Sequence, residues 1–143
     1  MDPFSITAGV VGIVAPTLHC VRRLVDDIQQ IVDAPGAIKS LNDDLLAIST
    51  ALTSLQSISK QQWESLGEPV MNQSASAMTL CKDSCDKFKS DLSRWTRHSG
   101  DGKLSWQDRA TIGIFKHGQM KSMSEQLRNC RTILTLDVTI ATL

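Results

Sequence analysis

The chain has 143 residues, with 15 basic and 15 acidic side chains and a formal net charge of zero. This is one domain's worth of chain, long enough to bury a core without staples. The neutral balance excludes a global field that would draw in nucleic acid. Tyr is absent, aromatics are scarce, and period-two alternation does not extend beyond a few residues. The expected class is therefore all-α: an up-and-down bundle of four to five helices with an apolar N-terminal helix.

The first predicted element is the most informative. From Phe4 to Cys20 there is no charged side chain, and Arg22 and Arg23 follow at once. Thr7, Val11, Val14, Leu18, Val21, Val25, Ile28 and Val32 step by fours and threes, one stripe of a long helix. Before Pro16 the helix is apolar nearly all round. After it, Arg22, Arg23, Asp26, Asp27, Gln29 and Gln30 hold the outer face. A proline inside a helix removes one backbone hydrogen bond and predicts a kink near Pro16. Such a segment must be buried, cleaved or inserted in a bilayer. Cleavage is disfavoured, because there is no positive n-region and no good small-residue cleavage site. A permanent span is short, since seventeen uncharged residues make about 25 Å of helix. Burial in the bundle is the expected resting state. Ser5 with Gly9, and Ala8 with Gly12, add small residues four apart, a spacing that lets helices approach closely in lipid.

Ala34-Pro35-Gly36 breaks the chain, with Asp33 a candidate N-cap. A second helix carries Ile38, Leu41, Leu45, Ile48, Leu52 and Leu55 on its seam, with Asp43, Asp44, Ser49 and Ser54 off it. Gly67-Glu68-Pro69 marks the next boundary. A third helix turns Val70, Ser74, Ala77, Cys81, Cys85, Phe88, Leu92 and Trp95 inward. A loop at His98–Gly102 precedes Ser105-Trp106-Gln107-Asp108, which resembles a capping box. The helix it opens is expected to end near Gly118, behind Lys116 and His117. A last helix uses Met120, Met123, Leu127, Cys130, Leu134, Val138 and Ala141.

Little in the chain points to chemistry. No glycine loop suits a phosphate, and His19, His98 and His117 stand far apart with no local nucleophile motif. Cys81 and Cys85 share a helix face, but no second pair completes a tetrahedral site. The four cysteines are expected to be reduced and metal-free. The chain is read as a non-enzyme without cofactor or metal. Up to Asn72 acids outnumber bases two to one; beyond it bases dominate, interleaved with Asp83, Asp86, Asp91, Asp101 and Asp108. This reads as solvated helix surface rather than a nucleic-acid face.

The opening Met1-Asp2-Pro3-Phe4-Ser5-Ile6-Thr7-Ala8-Gly9-Val10-Val11-Gly12-Ile13 resembles the start of the fungal N-terminal domain of STAND-type (NLR-like) immune receptors. Leu104–Arg109 and Leu127–Leu136 resemble two later helix segments of that family, so the likeness covers essentially the whole chain. The family belongs with the HeLo-like domains. The resemblance implies one helical domain over 1–143, with an apolar segment at 1–16, a bundle body at 17–143 and further domains downstream. It implies a cell-death or incompatibility effector, cytoplasmic at rest and at the plasma membrane on activation. Phe4, Ile6, Val10, Val11, Ile13, Val14 and Leu18 would insert, Pro16 would be the hinge, and Arg22 and Arg23 would meet lipid headgroups. The implied partners are further copies of itself, anionic lipids, and an upstream receptor or a fused nucleotide-binding or repeat domain. A non-lytic adaptor that oligomerises through helix faces is the competing expectation.

Overall fold

A computed structural model describes residues 3–32, 34–98, 104–106 and 110–143. The expected all-α bundle is found. Its helices are α1 (Pro3–Gln29), α2 (Gly36–Gln56), α3 (Lys60–Leu66), α4 (Glu68–Trp95) and α5 (Ala110–Ala141). Between α4 and α5 lie two three-residue strands, β1 (Thr96–His98) and β2 (Leu104–Trp106), paired antiparallel with Arg97 opposite Ser105.

Local chemistry sets the boundaries. Ser59 accepts from the Gln62 amide at 3.1 Å while the Gln62 side chain accepts from the Ser59 amide at 2.9 Å, a reciprocal cap that opens α3. Gly67, at φ +91°, turns the chain from α3 into α4 in a conformation that L side chains rarely adopt. Pro69 sits in the first turn of α4, where its missing N–H costs nothing.

The long helices form a four-cornered bundle. α1 packs on α4 and α2, and α5 packs on α2 and α4, so α2 and α4 stand across the diagonal. Direction follows from the residues that meet. Thr7 lies 3.7 Å from Met71 and Asp27 lies 3.7 Å from Lys89, so α1 and α4 run parallel. Ser74 meets Asp137 and Ser84 meets Gln126, so α4 and α5 run antiparallel. Consecutive long helices still alternate in direction. The diagonal step from α2 to α4 is carried by α3, which closes one end of the bundle with the buried Trp63.

The second seam is buried throughout, from Ile38 to Leu55, as are Ser74, Ala77, Cys81, Cys85, Phe88, Leu92 and Trp95 on α4. Four expectations are corrected. Pro35, not Asp33, takes the N-cap position of α2, and Asp33 itself lies outside the described residues. Ser105 is a strand residue paired with Arg97, so it caps no helix; Gln107 and Asp108 lie outside the described residues, as do Ser99 to Gly102 of the expected loop. Gly118 ends nothing, because α5 runs through it as one 32-residue helix. On α1, Val11 and Val32 leave the core, at 39% and 65% exposure, and Val10, Leu24 and Ile31 fill it instead. A 3.6-residue helix drifts from a strict three-four stripe, and α1 ends at Gln29, which releases Val32 from the pattern.

Candidate membrane-inserting helix

α1 is built to be apolar on two sides. Its core side carries Ile6, Val10, Val14, Leu18, Val21, Leu24, Val25 and Ile28, all buried against α4 and α2. Its solvent side from Ala8 to His19 carries Ala8, Gly9, Val11, Gly12, Ala15, Pro16 and His19. A Cβ added at Gly9 or Gly12 would meet nothing within 4 Å, so this side is smooth and open. The Ile6–Gln29 stretch, 24 residues, is long and apolar enough to cross a membrane; a buried core helix passes the same test.

The residues singled out from sequence separate into three settings. Ile6, Val10, Val14 and Leu18 are core, and Ile13 is half-buried against it. Val11 faces solvent. Phe4 falls within α1, with its side chain outside the described residues. Pro16 is exposed inside a continuous helix. Next to it the Thr17 hydroxyl donates to the Ile13 carbonyl at 2.7 Å, a side-chain bond that favours bending of helices. Arg22 and Arg23 are exposed, and the Arg22 guanidinium donates to the Thr53 hydroxyl on α2 at 3.2 Å.

Over residues 1–143 the sequence matches the family described as the N-terminal domain of the pigment biosynthesis cluster protein PigL. The chain belongs to the PigL N-terminal family. This family is of fungal type. No curated protein and no solved structure matches the chain.

The PigL-type bundle also holds buried polar groups that hydrophobic periodicity does not flag. Asp137 on α5 is 3% exposed and accepts from the Ser74 hydroxyl on α4. Burial pushes its carboxyl above the ordinary value, against the opposing pull of Ser74. Asp44 was expected off the seam, yet it is buried and takes the Arg131 guanidinium at 3.1 Å, tying α2 to α5. The cysteines converge from three helices. Cys130 Sγ donates to the Ala77 carbonyl at 3.6 Å, and Cys130, Cys85 and Cys20 all lie close enough to Cys81 to influence it. The Cys130 thiol favours the Cys81 thiolate, but the Cys85 thiol and burial outweigh it, and Cys81 is pushed well above its ordinary range. The neighbouring Cys81 thiol, then burial, raises Cys130. Among the described residues no group of three or more potential ligands could hold a metal. The raised values of Cys81 and Cys130 keep both as neutral thiols.

Proposed function

We propose that this PigL-type domain is a membrane-targeting cell-death or incompatibility effector of a fungal immune-type receptor. It acts by releasing α1, oligomerising and inserting that helix into the plasma membrane. The observation that carries the reading is α1 itself, whose core side is apolar and whose solvent side is uncharged from Ala8 to His19. The resemblance of the opening to STAND-receptor domains and membership of a fungal-type family support it.

The energetics favour a two-part helix. Stripping all eight fully buried apolar residues of α1 from the core would cost about 12–24 kcal/mol at 1.5–3 kcal/mol each, more than a domain's whole stability. Peeling only the part before Pro16 exposes Ile6, Val10 and Val14, about 5–9 kcal/mol. A bilayer returns that apolar term, and the proline lowers the cost of bending there. Release at Pro16 with capture by lipid is thus within reach, while spontaneous release of the whole helix is not. Arg22 and Arg23 stay at the headgroup level, where each basic residue contributes about 1 kcal/mol on an anionic surface.

The test is Val11→Asp. Val11 already faces solvent, so the charge does not disturb the core. At the centre of an inserted helix the same charge costs roughly 2.5–3.5 kcal/mol. The variant should fold and melt like the parent while losing leakage of anionic liposomes and toxicity in yeast. Undiminished leakage by folded Val11→Asp would overturn insertion of α1 as the lytic step, and a parent domain that leaks no liposomes even when forced to oligomerise would favour the non-lytic adaptor reading. Deleting residues 2–14 is a poorer test than sequence alone suggests, because it removes Ile6, Thr7, Val10 and Val14 from the packed core.

A further inference from the structure

Between α4 and α5, away from α1, lies a cleft of about 210 Å³. Its floor is Phe88 and Met123, both buried. Its inner wall is rich in acceptors. Gln119 Oε1 is buried and has no hydrogen-bond partner among the described residues. Gln126 Oε1 accepts from the Ser84 hydroxyl at 2.5 Å, and the Asp91 carboxylate, 7% exposed, is covered from outside by Arg94. The cations near the cleft sit outward: Lys87 is exposed on the rim and the Arg94 side chain is 70% exposed. A buried acceptor without a donor is uncommon in a folded protein and marks a place where something else supplies the hydrogen.

We propose that this cleft binds a small organic ammonium compound, its N–H groups donating to Gln119 Oε1 and toward the Asp91 carboxylate, which the antiparallel register that sets Ser84 against Gln126 brings opposite Gln119. The apolar body of the ligand lies over Phe88 and Met123, and the Phe88 ring adds its own attraction for the cation. The volume corresponds to about seven waters, which limits the ligand to a compact amine rather than a drug-sized molecule. Asp83, exposed at the rim and without an ion-pair partner among the described residues, draws cations toward the mouth.

The experiment titrates the folded domain with benzylamine, benzyl alcohol and benzoate, three probes of one shape and different charge. Side-chain amide resonances of Gln119 and Gln126 are followed by NMR. Saturable shifts with benzylamine, about tenfold weaker for the alcohol and absent for benzoate, are expected. Gln119→Leu removes the partnerless acceptor together with the side-chain NH2, so it should fold with unchanged or higher thermal stability and bind benzylamine about tenfold more weakly. Gln119→Glu should tighten benzylamine and leave the alcohol unaffected. No saturation by about 10 mM benzylamine, equal response to all three probes, or full binding by both Gln119 variants would overturn the proposal.

Discussion

At the scale of single residues, the buried polar groups decide the pH behaviour. Asp137 has a folded pKa above its ordinary value of 3.8 because burial disfavours the carboxylate. Its neutral form therefore suits the fold better, and stability from this group is present below 3.8 and lost as pH rises through the raised folded value. Asp137→Asn keeps an acceptor for Ser74 and removes the buried charge. It should raise the urea midpoint at pH 7, with the gain shrinking toward pH 4 as the parent becomes protonated. A gain that is equal at both pH values would mean that Asp137 is not titrating there. The cysteines give a second residue-scale expectation. Cys20 is half-buried and Cys81, Cys85 and Cys130 are buried, so native-state alkylation at mildly alkaline pH should label Cys20 first. Peptide mass mapping over a time course reads that order directly.

At the scale of elements, the two seams behaved differently under sequence reading. The α2 seam was fully legible, because six leucines and isoleucines at helical spacing have one way to be buried together. Leu45, at 0% exposure, should cost about 2–5 kcal/mol when cut to Ala, read from urea melts. The stripe on α1 was legible only in outline. So many of its residues are apolar that hydrophobicity cannot tell Val10 from Val11, and the small solvent-facing residues leave no polar marker for the outer face. The break at Gly118 was misread because glycine and neighbouring cations imitate a helix end; tertiary packing of α5 on α2 and α4 carries the helix through. Gly118 lies in that helix with open space around it. Gly118→Ala should consequently stabilise the domain by about 0.5–1 kcal/mol, visible as a raised midpoint in thermal or urea unfolding. An unchanged or lowered midpoint would show that α5 bends at Gly118 in solution. α3 was readable in principle: Ser59-Lys60-Gln61-Gln62 sets Ser and Gln at the three-residue spacing of a capping box, hidden in a polar stretch with one tryptophan.

At the scale of the whole molecule, the sequence supports a helical bundle but not which corners adjoin. Nothing in the seams says that α2 and α4 stand diagonal, since either neighbour would bury the same faces. The candidate site follows the same division. The uncharged stretch, Pro16 and the two arginines were visible in the chain; that four of the seven proposed inserting residues are the core, and only Val11 among the described ones is openly exposed, required the packed structure. The acceptor-lined cleft and the cysteine cluster were out of reach, because both are assembled from helices far apart in sequence. The parallel pairing of α1 with α4 has a temporal consequence as well. Thr7 and its partner Met71 are separated by 64 positions. At ribosomal rates of about 5–20 residues per second, the part of α1 that rests on α4 waits about 3–13 s between its own synthesis and that of its partner surface. During each round of translation the α4-facing side of α1 thus stays uncovered longest, while α2, made just after it, can cover the neighbouring side.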